Sequence, residues 1–222
     1  IIGFLLALSL RESFPFRPLF RIVHTLPLVV APIVVGSIFK LFTVSGFGPL
    51  PHFLKEWFGY SFNYGRDAEQ AFWMIVFMDI WHWTPFVVLL LLAGLESLPT
   101  DVYEAARVDG ASGLQAFWRI TFPLLMVSVS PLLIGAFAFN FNNFTLIFLL
   151  TSGGPPIVGA DVAVGYTDIL ISFTYDLAIA GGRGYQFGLA ASVTTIIFLI
   201  VLFISAVSFR YSKRLERVYG NL

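Results

Sequence analysis

An all-α integral membrane protein is the fold class this sequence predicts, on three observations. Of its 222 residues, 58% are hydrophobic and only 12% are charged, about half the charged share of a soluble domain. Mean hydropathy is +0.85. The apolar residues also fall into runs of the length a helix needs to cross a bilayer, about 20 residues. Thirteen Lys+Arg balance thirteen Asp+Glu, leaving no basic excess to attract nucleic acid. With no cysteine, disulfides, thiol catalysis and Cys-ligated zinc are excluded.

Residues 1–10 are apolar but too short to span, and they lack the basic flank of a signal peptide. They read as the tail of a span that begins before Ile1, with a segment lying in the membrane interface as the alternative. Four full-length candidates follow: residues 22–42, 71–95, 123–151 and 187–209. Together they predict five crossings, the first incomplete. The cations orient them. Arg11, Arg17, Arg21, Arg107, Arg119, Arg210, Lys213, Arg214 and Arg217 lie in alternate connections, against Lys40, Lys55, Arg66 and Arg183 on the other side. This bias places the 96–122 loop and the 210–222 tail in the cytoplasm.

Of the two outer loops, residues 44–70 are rich in aromatics (Phe47, Phe53, Trp57, Phe58, Tyr60, Phe62, Tyr64), as expected of a segment lying along the membrane interface. Residues 152–186 open on the turn signal Gly153-Gly154-Pro155-Pro156 and close on Gly181-Gly182-Arg183-Gly184. No linker or low-complexity stretch divides the chain, so residues 1–222 read as one membrane domain.

The cytoplasmic loop carries a short surface helix. Pro99 ends the preceding span, Thr100 or Asp101 caps the new start with Glu104 in its first turn, and Gly110 and Gly113 are stop signals. A second short helix from Leu114 leads to Pro123. By shape alone, a docking handle and an ordinary connector both remain open. Glu104-Ala105-Ala106, then Gly110, then Ile120-Thr121-Phe122-Pro123 resembles the EAA loop of ABC importer permeases. That pattern is E-A-A, three residues, G, nine residues and I-x-L-P, with Phe122 here in place of Leu. The resemblance implies that residues 104–113 form a coupling helix seated on a separate ATPase subunit, with Glu104, Ala105, Ala106, Asp109 and Gly110 as coupling residues. No GxxxxGK[ST] occurs, so this chain has no P-loop of its own.

Polar residues at membrane depth are costly unless they face protein, water or a ligand. Residues 123–151 contain Asn140, Asn142 and Asn143 among aromatics. As one helix this run measures about 43 Å against a core of about 30 Å, which leaves slack for a tilt, kink or unwound turn. On a helix Ala136, Phe139, Asn140 and Asn143 share a face. A ring beside amides suits a sugar, the ring covering C–H groups and the amides meeting hydroxyls. Amides that merely join helices are the alternative. In the 71–95 span, Asp79 and His82 stand at i and i+3 and can pair. Either a satisfied pair or a proton-coupled carrier would use them, and too few ligands lie at that depth for a metal site.

Phe137-Ala138-Phe139-Asn140-Phe141-Asn142-Asn143-Phe144, Leu150-Thr151-x-Gly153-Gly154-Pro155, Gly165-Tyr166-Thr167-Asp168 and Phe187-Gly188-Leu189-Ala190-Ala191 resemble the larger membrane subunit of maltose/maltodextrin ABC importers, the MalF type. The resemblance implies a sugar site at Ala136, Phe139, Asn140 and Asn143, with His82, Trp83 and Phe86 contributing from the preceding span; Asp79, by its own depth in that span, is a candidate polar residue of the pathway wall. That family has Gly at Trp83, Tyr at Phe86, Leu at His82, Asn at Asp79 and Ser at Ala136, which puts maltose itself in doubt and leaves another α-linked disaccharide or short oligosaccharide, such as trehalose or maltodextrin. Implied partners are a second permease subunit, two ATPase subunits holding ATP and Mg, an extracytoplasmic binding protein and membrane lipids. This chain is expected to bind no cofactor and to be no enzyme.

Overall fold

A computed structural model describes residues 1–11, 14–160, 162, 164–180 and 185–219. Gly181-Gly182-Arg183-Gly184 lies outside the described residues. Eleven α-helices occur among the described residues: α1 (Ile2–Arg11), α2 (Arg17–Val29), α3 (Pro32–Thr43), α4 (Pro49–Phe58), α5 (Ala68–Glu96), α6 (Thr100–Val108), α7 (Gly113–Ala116), α8 (Phe122–Phe141), α9 (Phe144–Leu150), α10 (Leu170–Tyr175) and α11 (Phe187–Tyr219). π-helical turns at Phe117–Thr121 and Asp176–Ala180 complete the set. The described residues contain no strand, only one isolated antiparallel bridge between Pro156 and Gly165.

Among the described residues three helical stretches are long and apolar enough to cross a membrane, or four if α2 and α3 count as one broken span. That pair departs from the expected continuous helix over residues 22–42, bending by 94°. The cause is local. Pro32 occupies the first turn of α3, where its missing N–H costs nothing, but its ring drives Ala31 out of the helical region, to φ −57° and ψ 137°. α11 runs on from its apolar part through the basic residues 210–217, so the expected tail is helical over its described residues.

The chain divides into two compact units. One comprises Ile1–Leu26, Thr84–Asn140 and Val201–Leu222, the other Pro27–Trp83 and Phe141–Ile200. Every boundary falls inside α2, α5, α11 or at the end of α8, and none at a linker. The first unit packs Ala7 and Leu10 of α1 against Val88, Leu91, Leu92 and Leu95 of α5 and Leu125 and Val129 of α8. Gly94 permits this approach, since a Cβ there would stand 2.5 Å from Val129 Cγ1 and 2.7 Å from Leu125 Cδ1. The second unit packs Val35, Ala71, Met74, Met78, Leu146 and Leu150 with Tyr64. Tyr64 is therefore core, a correction to its place in the interfacial aromatic run. Phe47, Trp57 and Phe58 remain exposed on or beside α4, a helix the sequence reading did not anticipate.

Candidate functional site

Helix α6 holds Glu104, Ala105 and Ala106 but ends at Val108, with Asp109 as its C-cap and Gly110 beyond, so the coupling helix expected over 104–113 stops short of its expected end. Its N-terminus corrects the expected cap. Thr100 is already helical, Pro99 is the preceding residue, and no side chain caps it. Its C-terminus follows the sequence closely. Gly110 has φ +75°, its N–H donates to Arg107 O (3.1 Å), and the Ala111 N–H reaches back to Ala106 O (2.9 Å). This is the paired closure that a left-handed glycine gives a helix end. Ser112 then starts α7, accepting from the Gln115 N–H at 3.3 Å while its own N–H donates to Gln115 Oε1 at 3.0 Å. The Phe117–Thr121 π-turn leads into α8.

One face of α6 is anchored in the first unit. Ala106 is buried. Tyr103 Oη donates to Thr121 Oγ1 (3.0 Å), and the Arg11 guanidinium lies 5.2 Å from the Tyr103 ring centre. Glu104, Ala105, Asp109 and Gly110 face outward, beside Val108 (87% exposed), Leu114 (71%) and Trp118 (58%). Apolar side chains this exposed, rimmed by charge, are the usual marks of an interaction surface. Nearby, Glu96 Oε1 receives Arg21 Nη2 at 2.8 Å and Arg17 Nη2 at 3.4 Å. Sequence reasoning missed Tyr103, Thr121, Arg17, Arg21 and Glu96. The positive charge of the two arginines was visible, but nothing local announced their partner.

The expected sugar contacts divide between the units. In the first, Phe139 is 58% exposed and Phe86 stands at the edge of exposure, while Ala136 is half-buried. Asn140 Nδ2 donates to Ala136 O (3.0 Å), and its buried Oδ1 has no hydrogen-bond partner among the described residues. An acceptor in that state suits a hydroxyl donor.

In the second unit, α8 and α9 are separated at Asn142 and Asn143, where Asn143 takes φ −76° and ψ 83°. Asn143 is thus off the helical face expected for it, since asparagine competes with helical backbone bonding. Its Nδ2 stands 3.5 Å from Asp79 Oδ1. His82 is 2% exposed and hydrogen-bonds the Pro27 backbone, its ring edge-on to Trp83 at 5.0 Å. Asp79 and His82 form no ion pair among the described residues, so the expected i, i+3 pairing is replaced by separate partners.

Described residues 151–172 around the start of the 152–186 loop in the second unit bond to one another. The Thr151 and Thr167 hydroxyls are hydrogen-bonded at 2.8 Å, and Thr167 Oγ1 donates to Gly154 O at 2.7 Å. Asp168 accepts from the Gly165 N–H and from Ser172 Oγ, both at 2.7 Å. Burial and then the charge of Asp168 push the Asp176 carboxyl above the ordinary aspartate range.

These features define a helical membrane protein that presents a short, well-anchored helix outside its spans. Residues 1–217 match the family model described as "Binding-protein-dependent transport system inner membrane component", and the chain belongs to that family. It is 39% identical over 214 residues to the maltose/maltodextrin transport system permease protein MalF of Vibrio vulnificus, and 38% identical over 213 residues to that of Klebsiella aerogenes. Each match covers 96% of this chain and 41% of the relative, so the chain spans about two-fifths of the curated relatives' length. A solved bacterial ABC transporter involved in import of the acidic polysaccharide alginate shares the fold, with a TM-score of 0.78 at 22% identity over 96% of this chain and 71% of that one. Both relatives are named as permease proteins of a maltose/maltodextrin transport system.

Proposed function

We propose that this chain is the transmembrane subunit of an ATP-driven sugar importer, carrying half of a pathway for an α-linked disaccharide or oligosaccharide of the maltose, maltodextrin or trehalose class. The observation that carries the reading is the family match along residues 1–217, supported by 39% identity to a permease named for maltose and maltodextrin. A second permease chain and two ATPase subunits complete the assembly, ATP and Mg reside on the ATPases, and an extracytoplasmic binding protein delivers the sugar. Residues 1–222 act as one membrane domain of five crossings, α1 being part of the first, with the C-terminus in the cytoplasm.

Within this assembly α6 is the coupling helix. Glu104 and the exposed apolar side chains near it meet the ATPase, and the anchored face passes the displacement to the spans. The sugar contacts in the first unit are Phe139, Asn140, Ala136 and Phe86, and within the second unit Asp79 holds the Asn143 amide. Binding there is weak in both end states, because transport requires release. Sugar uptake and ATPase activity of the reconstituted assembly, with Glu104→Ala and Gly110→Ala, test the reading. Loss of uptake with the complex intact is expected. Unchanged uptake overturns the coupling role.

A further inference from the structure

We propose that the C-terminal end of α11, with the adjoining face of α8, is a binding site for one anionic phospholipid of the cytoplasmic leaflet, its phosphate held by Arg210, Lys213, Arg214 and Arg217 and an acyl chain lying in the apolar groove beside them. The leaflet rests on the orientation given above. The site itself rests on the first unit alone.

Three observations converge. At about 100° per residue, Arg210, Lys213, Arg214 and Arg217 form one stripe of α11, and their side chains, with Val207 and Tyr211, line an open hollow of about 550 Å³ on its surface. All four cations are exposed, and none forms an ion pair among the described residues. Glu216, the acid on this stretch, projects off the stripe. Second, a groove of about 390 Å³ runs between α8 and α11, its walls built by Leu133, Ile134, Phe137, Ile204 and Leu215. Ser130 and Ser212 bond to each other at 2.6 Å in the same groove, which leaves Ser208 and the Tyr211 ring as its other hydroxyl-bearing residues among mostly apolar walls.

Third, Tyr211 lines both the hollow and the groove. It stands where the stripe turns into the apolar face, the position an amphipathic ring takes between headgroup and hydrocarbon. A cationic hollow continuous with an apolar groove, on a helix whose preceding part spans the membrane, matches a molecule that has a phosphate at one end and a hydrocarbon chain at the other. Inorganic phosphate would use only the first half. Basic clusters next to a span attract anionic lipid in general; the groove makes this a site for one molecule and not only a surface field.

The test uses the complete assembly in nanodiscs of phosphatidylcholine containing a small fraction of spin-labelled phosphatidylglycerol or spin-labelled phosphatidylcholine, reading the motionally restricted label. Wild type should retain phosphatidylglycerol in strong preference. Each cation near a membrane surface contributes about fivefold, so Arg210→Gln with Arg214→Gln should lower the preference about 25-fold. Ser208→Trp, which fills the groove and leaves every charge in place, should also release the restricted lipid. If Ser208→Trp leaves retention unchanged, or if millimolar inorganic phosphate displaces the lipid fully, the acyl groove has no role and the proposal is overturned. It is equally overturned if the double variant keeps its lipid but loses the ATPase subunits on purification, because the stripe is then a protein interface. Labelling of Lys213→Cys by an impermeant maleimide separates the two readings. Reaction from the outer side refutes the orientation in the proposed function, whereas inner labelling with no lipid preference refutes the lipid site alone.

Discussion

Replacing Gly110 by alanine isolates what the end of α6 contributes. A Cβ at this position would meet nothing within 4 Å, so the substitution adds no steric contact. Its whole effect comes from φ +75°. A left-handed backbone costs a residue with a Cβ about 1–2 kcal/mol, which at about 1.4 kcal/mol per tenfold lowers the closed turn about 5–30-fold against its competitors. Asparagine visits this region more readily than alanine. The expected order of sugar transported per ATP hydrolysed is therefore Gly110, then Gly110→Asn, then Gly110→Ala, in reconstituted complexes whose subunit composition is unchanged. Equal coupling for glycine and alanine refutes the reasoning. So does an asparagine variant as poor as alanine, because the loss would then come from something other than backbone conformation.

Tyr103→Phe removes the hydrogen bond to Thr121 and keeps the ring beneath Arg11. It should lower stability by about 1 kcal/mol, and adding Thr121→Val should cost little more in a double-mutant cycle read by thermal melting. Gly94→Ala forces a Cβ into Val129 and Leu125, an overpacking expected to cost about 1–3 kcal/mol; Val129→Ala should recover part of the melting temperature, and no recovery would mean the two helices do not meet there. Because the folded chain holds the Asp176 proton more tightly than the unfolded one, this group's contribution to stability is full below the ordinary aspartate value and disappears as pH rises through the raised one. Asp176→Asn should therefore raise the melting temperature at neutral pH and leave it unchanged in acid, and a gain equal at both pH values would remove the electrostatic explanation.

The long helices were legible because their information is local. The apolar run of α5 carries its length in its composition, and Gly110 announces a helix end through the one backbone conformation it alone adopts freely. What was illegible depended on partners from elsewhere in the chain. Pro27 and Pro32 look alike in sequence, yet Pro27 stays within α2 and only Pro32 starts a new axis. Slack in residues 123–151 could be read from length, but the unwinding at Asn142 and Asn143 falls where Asp79 stands near an amide. Spacing alone joined Asp79 to His82, whereas the folded chain gives one to Asn143 and the other to Pro27. The same limit hid Tyr64, which packs into a core with Phe62 against it while Gly65 and Arg66 just after it are exposed.

A push on α6 is useful only if the helix does not give way at its own attachment. Tyr103 and Ala106, three residues apart, share the anchored face, while Glu104 and Val108, four apart, share the exposed one. The exposed and anchored faces are thus separate, and substitutions on one leave the other's contacts in place. The hold is distributed. The bond from Tyr103 to Thr121 is worth about 1 kcal/mol and the Arg11 stacking about 0.5–1. The Arg17 and Arg21 pairs to Glu96, whose side chain is half-exposed, add about 0–1 kcal/mol. No single tie dominates, but they fasten α6 to α1 and to the turn that opens α8, and α2 to the end of α5. Displacing α6 without moving α1 or the start of α8 would break the Tyr103 contacts together, whereas moving them jointly breaks neither, and that difference favours carrying the motion into the spans.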